Sequence, residues 1–169
     1  NGAFGEVVTK RIGDKVFVAK VMKRGGPKAL EETICEVAIA KLCALFEIGP
    51  DLETSIPFDM IVYDNSVQFH LEQCERISTC EIRGFINMDL AKRGRFESDL
   101  KYCIGILHSL HIAHNDIKPD NILWSSRLNR FVLCDFGVAG YVREKVGGVS
   151  KTGCVGTPAF MGPEMRERR

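Results

Sequence analysis

The sequence lacks several features that would assign it to a specialised class of protein. No apolar run approaches the ~20 residues that a membrane-spanning helix needs. Internal repeats and low-complexity tracts are absent. The seven cysteines form no Cys-x-x-Cys pair, and the first residues show no signal-like apolar segment. We therefore expect reduced thiols and an intracellular location, cytoplasmic or nuclear.

The chain also has almost no excess charge. Its 23 basic and 22 acidic residues give a formal net charge of +1, which offers no reason to expect nucleic acid or a membrane as a partner. No oligomeric state is indicated. With 169 residues, 45% hydrophobic and 27% charged, the composition is that of an ordinary globular protein. This length is sufficient for one sizeable domain.

Residues 114–123 hold more polar chemistry than a connector requires. They read HNDIKPDNIL, and a predicted hairpin then leads to Asp135. Asn121 and Asp135 are oxygen donors that could flank one site, and hard cations such as Mg²⁺ bind oxygen ligands together with substrate phosphates. Asp116 would remain available as a base.

The order of three motifs gives these residues a family resemblance. Residues 114–121, 135–137 and 162–164 resemble the catalytic loop, magnesium loop and closing Ala-Pro-Glu motif of eukaryotic protein kinases, with Gly162 in place of alanine. A lone His-x-Asp would more often be a turn with a capping aspartate. The ordered set favours the kinase interpretation.

The resemblance implies roles for the polar residues of this region. Asp116 would orient and deprotonate a substrate hydroxyl, and Lys118 would neutralise charge on the γ-phosphate. Asn121 and Asp135 would bind Mg²⁺. Thr157 would belong to the turn that docks the substrate. Lys118 and Thr157 together resemble the serine/threonine branch of the family.

The N-terminal residues predict two strands, Val7–Ile12 and Val16–Met22, around a Gly-Asp turn. Gly2 and Gly5 resemble part of the kinase glycine-rich loop, although a plain hairpin turn is the alternative. Lys20 lies within an apolar strand and resembles the lysine that binds the α and β phosphates of ATP. Lys23 is a competing candidate.

A helix is predicted from Ala29 to Phe46. Glu36 lies beside its apolar stripe and resembles the glutamate that pairs with the strand lysine. Glu31 and Glu32 compete for this role, but they are better explained as favourable charges in the first helical turn.

A second hairpin is predicted from Ile56–Tyr63 and Val67–Glu72, which would complete a small lobe with a five-stranded sheet. By resemblance, Leu71 is the gatekeeper, and main-chain atoms of Glu72 to Cys74 read the adenine edge. The nucleotide contacts implied by the resemblance are Gly2, Phe4, Gly5, Val7, Val18, Lys20, Leu71, Glu72, Cys74, Asn121, Leu123 and Asp135.

Helical patterns follow at Glu81–Leu90 and Phe96–His111. His108 and His111 have the i, i+3 spacing of metal ligands, but no third ligand is evident. We expect His114 to be a packed structural residue.

Asn115 stands where most family members have an arginine that pairs with a phosphate on the activation loop. A carboxamide is neutral and lacks the guanidinium fork. We therefore expect that phosphorylation of Ser150 or Thr152 does not switch activity.

These features predict an α+β, two-lobed protein-kinase-like fold. Residues 1–72 would form the N-lobe, with a small antiparallel sheet and one helix, and residues 75–169 part of a mainly helical C-lobe. The implied function is ATP- and Mg²⁺-dependent phosphorylation of Ser/Thr hydroxyls of protein substrates. Three alternatives stay open. They are a pseudokinase that acts as a binding module, a small-molecule kinase, and a gene fragment without independent activity.

Overall fold

The fold was obtained as a computed structural model that describes residues 6–23, 26–50, 60–62, 66–77, 90–142, 144–145, 148–149 and 156–162. No helix within these ranges is long and apolar enough to cross a bilayer.

The first part of the chain forms an antiparallel sheet with one long helix. Its elements are β1 (Glu6–Ile12), β2 (Lys15–Lys23), α1 (Gly26–Leu45), β3 (Met60–Val62) and β4 (Ser66–Glu72). The strand order is β1-β2-β4-β3. The predicted Gly-Asp turn is present, because Ile12 pairs with Lys15 and Gly13 has a φ of 59°, which a glycine adopts without strain.

The second part of the chain contains one long helix and several short strands. Its elements are β5 (Glu75–Arg76), α2 (Leu90–Ser109), β6 (Ile112–Ala113), β7 (Ile122–Ser125), β8 (Arg130–Leu133), β9 (Gly140–Tyr141), β10 (Glu144–Lys145) and β11 (Gly148–Val149). Short 3₁₀ turns lie at Pro119–Asn121 and Pro158–Phe160. The sheets are β5-β7-β8, β6-β9 and β10-β11.

One apolar core joins the two parts. Ile39 and Cys43 from α1 belong to the same buried cluster as Cys103 and Leu107 from α2 and Phe131 from β8. Burial raises the pKa of Cys43 to about 12 and that of Cys103 to about 11, so both thiols are protonated at neutral pH. Cys35, Cys74 and Cys134 are also free.

Several predicted boundaries differ from the structure. Four strands form the first sheet within the described residues, and not five. The helix predicted to reach His111 ends at Ser109, and His111 follows it with a left-handed φ of 56°. His108 and His111 therefore do not share a helix face as metal ligands would, and the described residues contain no group of three or more His, Cys, Asp or Glu side chains that could hold a metal ion. Residues 81–89 of the other predicted helix lie outside the described residues.

Asp99 connects α2 to β8 through a buried hydrogen bond. Its Oδ2 accepts the Phe131 amide at 3.0 Å, and only 4% of Asp99 is exposed. Asp99→Ala should lower the free energy of unfolding of the protein that carries this domain by about 1.5–3 kcal/mol, because a bond to a charged group is lost and a buried amide is left unpaired. Urea denaturation measures this change.

Glu97→Ala is the matched control on the same helix. Glu97 makes only an exposed ion pair with Lys101, so its removal should leave the urea midpoint unchanged. Equal shifts for the two variants would contradict a structural role for the Asp99 hydrogen bond.

Candidate active site

A single buried ammonium group joins three elements at the site. Nζ of Lys20, on β2, bonds Oε1 of Glu36, on α1, and it also donates to Oδ1 of Asp135 at 2.6 Å. Lys20 is 7% exposed and Glu36 is 2% exposed. The two residues that the resemblance paired are therefore in contact. The competing candidates Glu31 and Glu32 are exposed, and the side chain of Lys23 lies outside the described part of the structure.

Burial and neighbouring charges shift the pKa values of Lys20 and Glu36 with different balances. Burial lowers the pKa of Lys20, but the two carboxylates outweigh it, so the pKa lies above its ordinary value and the ammonium persists. Burial raises the pKa of Glu36 more than Lys20 lowers it. Oε2 of Glu36 is buried without a hydrogen-bond partner. The cluster therefore contains one firmly held positive charge.

Sheet register places the apolar candidates on the same face as Lys20. In an antiparallel pair, directly opposed residues point to the same side, and side chains alternate along each strand. Val7 pairs with Lys20, and Val18 pairs with Leu71. Val7, Val18, Lys20 and Leu71 thus share one face, as a nucleotide site would require.

Asp116 is enclosed by donors. Lys118 Nζ donates to its Oδ2 at 2.6 Å, and Asn121 Nδ2 donates to the same oxygen at 3.1 Å. The Thr157 amide donates to Oδ1 at 2.7 Å. Burial raises the pKa of Asp116, but the bonds from Lys118 and Thr157 outweigh it and hold the pKa below its ordinary value. Asp116 is therefore ionised at neutral pH and held in a fixed orientation.

Gly156 allows Thr157 to reach Asp116. Its φ is 106°, and a Cβ at this position would lie 2.2 Å from the Asn115 carbonyl oxygen. Only glycine fits this approach. Thr157 Oγ1 also accepts a bond from Lys118 Nζ at 2.9 Å. The sequence prediction for this turn concerned Thr157 and did not include the requirement at Gly156.

Asn121 and Asp135 lie at the open end of the β7–β8 hairpin. Ile122 pairs with Leu133, and beyond that pair the Cys134 amide donates to the Asn121 carbonyl at 3.0 Å. Asn121 uses its side-chain nitrogen to bond the Asp116 carbonyl at 2.8 Å, so its carboxamide oxygen is the atom suited to a cation. One carboxylate and one carboxamide fit a Mg²⁺ ion that also binds phosphate oxygens.

The backbone around the catalytic loop takes two left-handed conformations. Asn115 has a φ of 64° and Asp135 a φ of 61°. Asn and Asp tolerate this region better than most residues. Nδ2 of Asn115 donates to the Val138 carbonyl at 3.0 Å, so the neutral side chain ties residues 114–116 to the segment after Asp135.

His114 has the packed role that we expected. It is 3% exposed, its Nε2 lies 3.0 Å from the Cys134 carbonyl, and its ring contacts Phe136 with centroids 5.1 Å apart. Burial holds the pKa of His114 below its ordinary value. The ring therefore supports the loop as a neutral group.

Glu72 and Cys74 connect the first sheet to the second part of the chain. Glu72 ends β4, and β5 begins at Glu75. The Glu72 side chain bonds Ser125 and Arg127 of the β7–β8 turn. This side-chain contact was missed by the sequence prediction, which concerned only main-chain atoms. Leu123 is half-buried and pairs with Val132 and Arg76.

Several predicted residues lie outside the described part of the chain. They are Gly2, Phe4, Gly5, Ser150, Thr152, Pro163 and Glu164. Their roles stay predictions.

Comparison with known proteins gives a consistent family. Residues 1–169 match the family described as protein kinase domain. The chain is 37% identical over 83 residues to serine/threonine-protein kinase Sgk1-B of Xenopus laevis, which covers 47% of this chain and 18% of that protein. It is 26% identical over 177 residues to serine/threonine-protein kinase 32C of Homo sapiens, which covers 97% of this chain and 33% of that protein. The chain thus spans a third or less of the length of these curated relatives.

Asn115 permits a test that separates backbone conformation from side-chain bonding. Asn115→Gly loses the bond to Val138 but adopts the positive φ without strain. Asn115→Ala loses the same bond and is also strained in the left-handed conformation. Asn115→Ala should therefore lower the free energy of unfolding by about 1–2 kcal/mol more than Asn115→Gly does. Denaturant titration of both variants measures the difference. Equal losses would show that the left-handed conformation is not important for the fold.

Proposed function

The chain belongs to the protein kinase domain family, and on this premise we propose that the protein carrying it transfers the γ-phosphoryl group of ATP to Ser or Thr hydroxyls of protein substrates. The observation that carries the proposal is the enclosed, ionised Asp116, with Lys118 and Thr157 bonded to it and Asn121 beside it. We also propose residues 1–72 as one lobe and 75–169 as part of the other.

Asp116 acts on the substrate hydroxyl. Its carboxylate is ionised and fixed by three donors, so it can accept a hydrogen bond from the hydroxyl and align the oxygen for attack. Because its pKa is low, its main contribution is orientation, and it takes the proton late in the transfer.

Lys118 provides positive charge between the base and the transferred group. Its Nζ contacts both Asp116 and Thr157, and these two bonds restrain the side chain in one conformation. Charge develops on the phosphoryl oxygens during transfer, and a preorganised ammonium stabilises that charge. The Lys118–Thr157 bond also supports the serine/threonine assignment.

The nucleotide phosphates are bound from the opposite side by Lys20. Glu36 restrains this ammonium, and Asp135 and Asn121 supply oxygen donors for Mg²⁺. When bound, Mg²⁺ would neutralise the charge of the phosphates. Val7, Val18 and Leu71 on the same sheet face supply apolar surface for the adenine.

The location of the protein is also a proposal. We infer an intracellular compartment, cytoplasmic or nuclear, because all five cysteines within the described residues are free.

Two substitutions separate the assigned roles. In the complete protein, Asp116→Ala should lower kcat about 10²–10⁴-fold and leave the Kd for Mg-ATP nearly unchanged, because it removes a group that acts on the hydroxyl. Asp135→Ala should instead weaken Mg²⁺-dependent ATP binding. Transfer from labelled ATP and nucleotide titration measure these effects. Transfer by Asp116→Ala at the parental rate would contradict the assignment, and a parent that binds ATP without transfer would support the pseudokinase alternative.

Gly156→Ala tests the turn that holds Asp116. The added Cβ would displace the turn from the Asn115 carbonyl and break the bond from the Thr157 amide, so kcat should fall about 10²-fold with ATP affinity retained. Gly140→Ala is the matched control, because a Cβ there meets nothing within 4 Å. Equal kcat values for the two variants would contradict a role for this turn.

A further inference from the structure

We propose that the Glu72 carboxylate is a positioning group for the nucleotide base, which fixes the connecting segment 72–75 against the β7–β8 turn. The inference rests on the proposed function, since it concerns how the same site holds ATP. It assigns to the side chain a role distinct from the main-chain contacts expected of this segment.

Both oxygens of the carboxylate are engaged. Oε1 accepts bonds from Ser125 Oγ at 2.6 Å and from Cys74 Sγ at 3.1 Å. Oε2 accepts a bond from Arg127 Nε at 2.7 Å. Two of these donors lie far along the chain, and the third lies two residues away within the connecting segment. The carboxylate therefore bonds the segment to itself and to the second part of the fold.

The β7–β8 turn that Glu72 contacts is itself rigid. Ser125 is fully buried, and its Oγ also accepts the Leu128 amide at 3.2 Å, so the same hydroxyl closes the β7–β8 turn. Trp124, the preceding residue, pairs with Glu75 at the start of β5. The segment between β4 and β5 is thus held by backbone pairing at one end and by the Glu72 side chain at the other.

The electrostatics favour a permanent contact. Burial raises the pKa of Glu72, but the bonds from Ser125 and Arg127 outweigh it, so the carboxylate is ionised at neutral pH. Hydrogen bonds to an ionised acceptor are about twice as strong as neutral ones. Because both oxygens are engaged within the fold, we assign the carboxylate no direct contact with the nucleotide. Its effect on the nucleotide must pass through the backbone that it holds.

Glu75 provides a natural control. It contacts the same turn through Ser126 Oγ at 2.9 Å and bonds Lys92 at 2.9 Å. Its side chain is 59% exposed, and such exposed pairs contribute little. Glu75→Gln should therefore leave the position of the segment unchanged.

The test compares ATP with inorganic tripolyphosphate as ligands of the complete protein in the presence of Mg²⁺. Glu72→Ala should weaken ATP binding about tenfold, because the three hydrogen bonds to its carboxylate are lost and the connecting segment is no longer fixed. Tripolyphosphate binding should change less than twofold. Its phosphate groups would contact Lys20 and the Mg²⁺ held by Asn121 and Asp135, and not the connecting segment. Glu75→Gln should alter neither ligand.

Arg127→Ala completes a double-mutant cycle. It should weaken ATP binding in the parent but add nothing in the Glu72→Ala background. Equal weakening of ATP and tripolyphosphate by Glu72→Ala would indicate general damage to the fold and overturn the inference, as would unchanged ATP binding. If the parental protein binds no ATP, the proposed function itself fails, and the inference fails with it.

Discussion

The site depends on the ammonium of Lys20, which is shared between the carboxylates of Glu36 and Asp135. A charge this deeply buried is tolerated only when it is paired, and removal of one partner leaves an uncompensated charge. The three residues come from β2, α1 and the loop after β8. Their pairing therefore fixes the helix, the sheet and the loop after β8 relative to one another. Because Asp135 shares its Oδ1 with Lys20, the proposed phosphate-binding and metal-binding roles would be coupled.

Residues 114–121 are stabilised by a different kind of interaction. Around Lys20 the balance is between opposite charges, whereas Asp116 is enclosed by an amide, a carboxamide and one ammonium group. Asn115 adds a neutral bond to Val138. The contact that secures this loop to the segment after Asp135 thus needs no phosphate and no guanidinium group. The expectation that activation-loop phosphorylation does not switch the activity stays a prediction.

The sequence was informative wherever residue type alone carries the chemistry. The Lys20–Glu36 pair could be predicted because a buried lysine needs an anion, and because the resemblance offered one on the next helix. Val18 and Leu71 were identified only through the resemblance, and the strand register then places them on one face. The Glu72 contact with Ser125 could not be predicted, because it joins residues far apart whose types are common on surfaces. The clash that requires glycine at position 156 depends on a carbonyl from another loop, and the end of α2 before His111 depends on a local left-handed residue. None of these has a local sequence signal.

The central claim is that Lys20 and Glu36 act as one unit in nucleotide binding. The most direct measurement is a double-mutant cycle on the Kd for Mg-ATP, with Lys20→Met, Glu36→Gln and both together in the complete protein. If Glu36 acts only through Lys20, the Lys20→Met variant and the double variant should bind Mg-ATP equally weakly, so that Glu36→Gln has an effect only when Lys20 is present. Additive losses in the double variant would contradict the account, because they would show that each residue contributes independently.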